Sequence, residues 1–502
     1  MFSPRIFVRL ACCLSAILPL ATAVAPRTSG DQVACALLEH SLGSSKVQTA
    51  GNSSVNPLYQ LSAKGAWNVF NQQDQPTCIV FPTNASDVVT AMKAIFLSNS
   101  NYAVRGGGHS AMPGWNTVEN GVLIDFRQMT AYSYNPTSNT ITMQPGVLWG
   151  NVYNGLSPQG VAPVGGRESD VGASGLLLGG GLSYLSPAWG YACDSYRSLQ
   201  VVLTSGALVT ATATNQYKDL FRALKGGGSR FGIVTSYEVQ AIHVGTAADK
   251  TWYGGSILYP NTSVPALITA IDNYIFSNTD SHAVALTIVA QQNTAGVPLV
   301  LGETLVFYNG TETQFNTVFA EFLAIPTLVT SIGPLSYSDM NNILPPGNER
   351  TNANLYGASA LYPHKGLFQQ AFTHWQNFSM AFTNELAIST LAFTPVPQSQ
   401  IDASNANGGT AFAPPNGAFA AVQLAQGFPA GVTTLSPSMS QGVNLLLSQV
   451  PRSAGLPLYL NESNEVQNAL TTYNWLAQLK LVYAKYDPFR FSVNRLFGPN
   501  GL

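Results

Sequence analysis

Charge is what this chain of 502 residues most clearly lacks. Asp, Glu, Lys and Arg make up 9% of it, against roughly 25% in an ordinary soluble domain. With a formal net charge of −2, the sequence has no basic footprint of the kind that binds nucleic acid or an anionic membrane. We therefore expect the protein to bind neither nucleic acid nor a membrane. Glycine, Ser, Thr and Asn supply the polarity, which is typical of an extracellular glycoprotein.

Cysteine is also scarce, with five in the chain. Cys12 and Cys13 lie in an apolar segment near the N-terminus. No spacing of metal ligands occurs among the cysteines, so we expect no metal site. In an oxidising compartment Cys35 and Cys78 are expected to form a disulfide, which leaves Cys193 over.

Long hydrophobic runs are missing as well. The apolar stretch 10–20 is too short to span a membrane comfortably and contains Pro19. Two arginines precede or open it and small residues follow, which is the pattern of a secretory signal. We predict that 1–25 is a signal peptide and that the protein is secreted or enters the secretory lumen; a retained anchor is the alternative. Acceptor sites for N-glycosylation occur at Asn52, Asn84, Asn261, Asn309, Asn377 and Asn461.

Short strand and helix signals alternate in the first half, which predicts mixed α+β units rather than a regular parallel repeat. Strands are predicted over 77–81, 102–105, 121–126, 141–144 and 231–239, with a hairpin over 199–210 and helices over 88–96 and 219–224. Beyond about residue 245, longer strand-like runs (283–290 and 299–308) alternate with amphipathic stretches such as 314–323. The Pro-, Gly-, Ser- and Asn-rich segment 396–440 is expected to form surface loops, and 466–486 a helix.

Three glycine-rich clusters stand out: 105–110, 171–183 and 226–235. Glycine lets the backbone approach a ligand closely, and free N–H groups can hold a phosphate. Three such loops suit an extended cofactor that contains a pyrophosphate. A nicotinamide-binding Rossmann turn fits poorly, because Pro113 and Gly114 oppose the helix that should follow the first cluster.

The segment Val104–Ser110 resembles the flavin-attachment loop of the vanillyl-alcohol-oxidase superfamily. Within it, the chain is similar to secreted fungal FAD-linked oxidoreductases related to berberine bridge enzyme. Further matches cover 121–126, 171–183, 190–194, 219–235, 459–461 and 485–488. The resemblance implies an α+β fold with a two-part FAD-binding domain of the PCMH type. That domain spans 26–244 (core 72–244), a substrate domain of antiparallel sheet backed by helices spans 245–455, and the segment 456–502 returns to the FAD domain.

The resemblance also implies that His109 bonds the flavin 8α carbon covalently through its imidazole. Such a bond would hold the flavin ring in place and favour its acceptance of hydride. The implied cofactor contacts are Arg105, Gly106, Gly107, Gly108, Ser110, Val171, Gly172, Gly175, Gly179, Gly180, Gly232, Ile233, Val234 and Asn461.

Several positions depart from the family pattern. Many relatives attach flavin a second time through a cysteine where this chain has Glu168, so we predict a single covalent bond. Leu176 and Ala111 replace a histidine and a tyrosine of some relatives, which disfavours direct transfer of the berberine-bridge or oligosaccharide-oxidase mechanisms. Val171 aligns with a position that governs oxygen access, and a small residue there is compatible with oxygen reactivity.

Tyr459 matches a tyrosine that faces the flavin in several relatives and is the candidate base. A tyrosine acts as a base only if its surroundings lower its pKa from about 10. The alternative is an ordinary tyrosine with a packing role. Glu168 is either a buried carboxylate near the flavin or a loop acid.

Together these observations predict a secreted FAD-linked oxidase. Hydride passes from a small alcohol, amine or other secondary metabolite to flavin, and O2 reoxidises the flavin to give H2O2. We expect a monomer whose partners are this substrate and O2. A carbohydrate oxidase is the first alternative, and it would need exposed aromatics such as Trp252, Tyr253 or Trp375. The second is a secreted glycoprotein without catalytic activity.

Overall fold

The computed structural model describes residues 29–51, 56–344, 347 and 349–502. The predicted signal peptide and the acceptor site at Asn52 lie outside these residues. Among the described helices, none combines the length and apolar character needed to cross a membrane.

Strands and helices follow one another as the α+β prediction requires. The strands of the first half are β1 (Val47–Thr49), β2 (Cys78–Val80), β3 (Tyr102–Arg105), β4 (Val122–Asp125), β5 (Tyr132–Asn135), β6 (Thr140–Met143), β7 (Val161–Ala162), β8 (Tyr196–Val202), β9 (Leu208–Ala211), β10 (Ile233–Gln240) and β11 (Ile242–His243). Those of the second half are β12 (Trp252–Pro260), β13 (Ala283–Thr294), β14 (Val297–Asn309), β15 (Val329–Leu335), β16 (Asn354–Leu361), β17 (Ile388–Val396) and β18 (Phe419–Gly427).

The α-helices lie between these strands and in the C-terminal segment. In the first half they are α1 (Gly30–Leu42), α2 (Pro57–Ala63), α3 (Ala85–Ser98), α4 (Trp149–Leu156), α5 (Ala173–Leu178), α6 (Ser186–Trp189) and α7 (Lys218–Ala223). The remainder are α8 (Val264–Ser277), α9 (Glu312–Val318), α10 (Ala320–Leu323), α11 (Tyr337–Met340), α12 (Leu367–Ala381), α13 (Gln398–Ala406), α14 (Pro437–Gln449), α15 (Leu476–Tyr486) and α16 (Phe491–Arg495).

Two sheets organise the first half. A four-stranded sheet has the order β1-β2-β4-β3, in which β4 pairs in parallel with both β2 and β3. A five-stranded antiparallel sheet has the order β5-β6-β10-β8-β9. Because β3 ends at Arg105, the first glycine cluster leaves the carboxyl end of a buried parallel strand, the edge at which such sheets place their ligands.

A seven-stranded antiparallel sheet dominates the second half, in the order β15-β12-β14-β13-β17-β18-β16. Alternate residues of its strands enter two cores. Val284 and Leu305 pack with the first half of the chain, whereas Ala285 and Val306 pack under helices α8, α12 and α14. The sheet is therefore covered on both faces, and one face forms a boundary with the glycine loops.

Two predictions for the second half are wrong. The segment 396–440 is not a set of surface loops, because it contains α13 and β18, a strand paired on both sides in the large sheet. That strand consists largely of small apolar residues buried on both faces, so it lacks the alternation that marks a half-exposed strand. Within 466–486, the α-helix begins only at Leu476.

Two sets of contacts secure the ends of the first half. The predicted disulfide is confirmed: Cys35 of α1 is bonded to Cys78 of β2, with their Cα atoms 5.9 Å apart. At the other end, the buried Arg230 side chain donates to the carbonyl oxygens of Ser492 (2.5 Å), Gly498 (3.1 Å) and Pro499 (2.9 Å). The C-terminal segment therefore lies against the third glycine cluster.

The first and second glycine clusters touch through their backbones. A Cβ atom on Gly107 would lie 2.6 Å from the Cα and N atoms of Gly172, and one on Gly172 would lie 2.3 Å from the N atom of Gly107. The second loop is held there because Ala173 N donates to Val147 O at 2.9 Å and Ser174 Oγ donates to Pro145 O at 2.8 Å. Only glycine fits at either position without moving one loop.

We expect Gly107→Ala to lower the free energy of unfolding by about 2 kcal/mol or more, because backbone atoms on the opposing loop cannot rotate away from the new methyl group. Gly333→Ala is the control, since nothing lies within 4 Å of a Cβ at that position. Thermal unfolding of both variants checks the expectation. Equal unfolding temperatures would show that the loops are not in tight contact.

Candidate active site

A cavity that is partly open to solvent lies between the three glycine clusters and the large sheet. Leu496 and Pro499 of the C-terminal segment close it at one end, and Tyr356 and Gln423 of the large sheet line the other. The predicted site residues that line it are Gly106, Gly107, Gly108, His109, Ser110, Val171, Gly172, Gly175, Gly179, Gly232, Ile233, Val234, Tyr459 and Asn461.

Two residues that were predicted to contact the cofactor, Arg105 and Gly180, do not line the cavity. Arg105 is 2% exposed and turns beneath the first loop, where it donates to the carbonyl oxygens of Asn116 (2.9 Å) and Ser62 (2.5 Å). Burial lowers its pKa to about 10, which Asp125 opposes. Gly180 faces the ring of Phe412, 2.9 Å from where its Cβ would be. The structure thus gives both residues a supporting role beside the cavity.

His109 projects from the first loop into the cavity and has a fixed orientation. Its ring stacks on Trp67, with centroids 4.2 Å apart and planes inclined by 14°. Its Nε2 atom is buried without a hydrogen-bond partner among the described residues. The nearest carboxylate oxygens, on Glu168 and Asp170, are each 3.9 Å from Nε2.

The electrostatics around His109 keep the imidazole neutral. Burial lowers its pKa, and this effect outweighs the opposing influence of Glu168 and Asp170. A neutral imidazole has a lone pair on one ring nitrogen and can therefore act as a nucleophile or a ligand. The Trp67 stack holds that nitrogen at a defined point on the cavity wall.

Tyr459 lies in the cavity, but its surroundings are unfavourable for a base. Its hydroxyl accepts hydrogen bonds from Leu182 N at 3.1 Å and Asn461 Nδ2 at 2.9 Å. Burial and the neighbouring Glu462 nevertheless raise its pKa well above the usual value. The candidate base therefore has its pKa shifted in the direction opposite to that required.

Sequence reasoning missed the polar end of the cavity. Arg167, Tyr356, Gln423 and Glu462 all line it. Glu462 directly follows the matched segment 459–461, so its position in the sequence could have indicated that it lies at the cavity. Arg167 directly precedes Glu168 and had the same signal. Tyr356 and Gln423 come from two strands distant in sequence, and no local pattern marks them.

The three aromatics named for sugar binding do not line the cavity. Trp252 is 4% exposed and packs in the core between the halves. Trp375 is fully buried beneath the large sheet. Tyr253 packs against Phe315, with ring centroids 5.3 Å apart. None of the three supplies a stacking surface for the carbohydrate-oxidase alternative.

The glycosylation sites differ in access. The side chains at Asn84, Asn261, Asn309 and Asn377 are exposed. Asn461 instead donates from Nδ2 to Leu176 O at 3.0 Å inside the cavity, and Ser463 of the same acceptor site is fully buried. This geometry argues against a glycan at Asn461, whereas the exposed sites remain predictions.

The chemistry of the cavity fits FAD. Gly175 lines the cavity with nothing within 4 Å of where its Cβ would be, so a side chain there would take space from an extended ligand. The buried Nε2 of His109 has no hydrogen-bond partner among the described residues. Gly106–His109, Val171–Gly179 and Gly228–Val234 would hold the cofactor. When bound, FAD supplies a two-electron acceptor for hydride.

Comparisons with known proteins agree with this geometry. Residues 76–212 match the family described as FAD binding domain. An uncharacterized FAD-linked oxidoreductase of Arthroderma benhamiae is 30% identical over 70% of this chain and 69% of its own length. The FAD-dependent monooxygenase macF of Penicillium terrestre is 27% identical over 91% of this chain and 86% of its own length.

The fold has a solved counterpart in berberine bridge enzyme in complex with (S)-reticuline. That structure superposes with a TM-score of 0.74 at 16% identity, and the match covers 95% of this chain and 100% of the other. The predicted fold, with an FAD domain and a large antiparallel sheet over the substrate side, is confirmed. The chain belongs to the FAD-linked oxidoreductases and has the fold of berberine bridge enzyme.

Proposed function

We propose that this FAD-dependent oxidoreductase is a secreted oxidase with flavin bound covalently through His109 alone. It would take hydride from a small alcohol, amine or similar secondary metabolite, with O2 as the final acceptor and H2O2 as a product. The observation that carries the proposal is the His109 imidazole: neutral, stacked on Trp67, and without a hydrogen-bond partner for Nε2 at the wall of a cavity that fits FAD.

A single tether is supported by the residue at the second attachment position of many relatives. Glu168 lines the cavity, and its Oε2 atom lies 3.9 Å from His109 Nε2. A carboxylate cannot form the thioether bond that a cysteine forms there. Cys193, the described cysteine outside the disulfide, is fully buried, and burial raises its pKa well above the usual value, which keeps it a thiol.

Secretion and oxygen use rest on separate observations. The Cys35–Cys78 disulfide and the exposed acceptor sites are typical of the secretory pathway, and they agree with the signal pattern of the sequence. Val171, a small side chain, lines the cavity beside Gly172, which leaves room for O2. The low charge of the chain offers no surface for nucleic acid, and we propose that it acts as a monomer.

A second candidate follows from the relatives. Several of them, macF included, bear the name FAD-dependent monooxygenase. A monooxygenase would place one atom of O2 in its product and would need an external reductant, whereas an oxidase would release both atoms as H2O2. The alternative of a glycoprotein without catalytic activity is not supported, because the chain belongs to an oxidoreductase family.

The tether is tested by acid precipitation of the purified protein. We expect flavin absorbance to remain with the precipitated wild-type chain and with His40→Ala, which alters an exposed histidine of α1. His109→Ala should release all of its flavin, because no second covalent bond would remain. Flavin retained by precipitated His109→Ala would contradict the single tether.

The reaction class is tested by peroxide release from glucose, cellobiose, 4-hydroxybenzyl alcohol and benzylamine under air. We expect one H2O2 for each alcohol or amine oxidised, and little from the sugars. Turnover with an artificial acceptor but without peroxide would indicate a dehydrogenase. Incorporation of ¹⁸O from ¹⁸O2 into the product would indicate a monooxygenase.

A further inference from the structure

Glu462 is a buried carboxylate that lines the polar end of the cavity. It ends the short helix that follows Tyr459, and it is 8% exposed. Its Oε1 atom lies 3.8 Å from Arg167 Nη2, which is too long for a hydrogen bond. The carboxylate is therefore held beside a positive charge while it remains open to a ligand in the cavity.

The groups around Glu462 place its protonation change near neutral pH. Burial raises its pKa to about 7, with Arg167 acting against the shift and Glu168 adding to it. Tyr356 and Tyr459 face it from the large sheet and from its own segment, and burial keeps both as neutral phenols. Of Tyr356, Tyr459 and Glu462, the carboxylate is therefore the group that can accept a proton near neutral pH.

The geometry also explains why Tyr459 is poorly placed for that role. Its oxygen accepts two hydrogen bonds, from Leu182 N and Asn461 Nδ2, which favour the ionised form. Burial and the neighbouring Glu462 outweigh them and raise its pKa. Loss of its proton would place a second negative charge beside Glu462. Its arrangement is that of a fixed phenol that orders the segment Tyr459–Glu462.

We propose that Glu462 is the catalytic proton acceptor, with Arg167 and Glu168 as positioning residues that set its charge. The proposal rests on the oxidase function above. The substrate would give its O–H or N–H proton to the Glu462 carboxylate and its C–H hydride to the cofactor, and a C=O or C=N bond would form. With O2 as oxidant, the sum is substrate plus O2 to ketone, aldehyde or imine plus H2O2. The substrate class is thereby an alcohol or an amine.

A first test needs no substrate. The absorption spectrum of the bound flavin, recorded from pH 5 to 9, should show an inflection near pH 7 in the wild type, because ionisation of a nearby carboxylate perturbs the ring. Glu462→Gln should abolish it. Tyr459→Phe should keep it, and so should Glu465→Gln, which removes an exposed carboxylate three residues further on.

The positioning residues should move this inflection in opposite directions. Arg167→Met removes a charge that lowers the pKa of Glu462, so the inflection should shift to higher pH. Glu168→Gln removes a charge that raises it, so the inflection should shift to lower pH. These directions also test the proposal if Glu462→Gln fails to fold. Shifts of the same sign, or none, would overturn it.

Thermal unfolding gives a readout independent of flavin. A carboxyl whose pKa is raised in the folded state destabilises the protein as pH rises from the unfolded value of about 4.5 to about 7. The unfolding temperature of Glu462→Gln minus that of the wild type should therefore increase from pH 5 to pH 8. For Glu465→Gln this increase in unfolding temperature relative to the wild type should be smaller. An increase equal to that of Glu462→Gln would count against the proposal.

The kinetic test uses whichever compound of the peroxide panel is turned over. The rate of anaerobic flavin reduction should rise with pH to a plateau above about pH 7. In Glu462→Gln it should fall by about 10²–10⁴-fold, the usual contribution of a general base, and lose its pH dependence. Glu462→Asp should restore part of the rate, and Glu465→Gln should leave it unchanged.

The outcomes separate this inference from the function on which it rests. A protein that binds no flavin would contradict the oxidase itself. The inflection of the flavin-loaded protein could survive in Glu462→Gln but disappear in Tyr459→Phe. In that case the oxidase function would stand, and Tyr459 would be the base. An inflection that survives in both variants would overturn both assignments.

Discussion

The backbone contact between Gly107 and Gly172 is the constraint on which the rest of the site depends. It brings the loop after β3 and the loop before α5 together at a distance that no side chain at either position permits. The two loops then form one wall of the cavity, and His109 leaves that wall two residues beyond the contact. A shift of either loop would move the imidazole and the backbone that faces the cofactor together.

The opposite wall is built from parts distant in sequence. Arg230 holds the C-terminal segment by its carbonyl oxygens, so Leu496 and Pro499 close one end of the cavity. The large sheet contributes Tyr356 and Gln423 at the other end. The glycine loops and the sheet side of the cavity are therefore fixed by different elements.

The acidic residues near the polar end of the cavity have two different neighbours, His109 and Arg167. Asp170 and Glu168 approach His109, where burial still keeps the imidazole neutral. Glu462 lies 3.8 Å from Arg167. If His109 holds flavin and Glu462 takes the substrate proton, as we propose, both groups have the charge states that these roles require.

Local sequence was enough to predict the glycine loops and the short strands beside them, because each depends on residues adjacent in the chain. The family resemblance added His109 and Asn461, and both line the cavity. Arg105 and Gly180 lie in the predicted segments. Whether each faces the cavity or packs against the residues behind its wall depends on tertiary packing. Strand β18 was missed because burial on both faces removes alternation. The stack of Trp67 on His109 and the pairing of Arg167 with Glu462 join segments far apart, and no spacing encodes them.

Peptide mapping of the flavin-loaded protein by mass spectrometry tests the central claim most directly. The account predicts that the peptide containing His109 carries the mass of the flavin adduct and that the peptide containing Glu168 is unmodified. An unmodified His109 peptide from loaded protein, or a flavin adduct on any other residue, would contradict it.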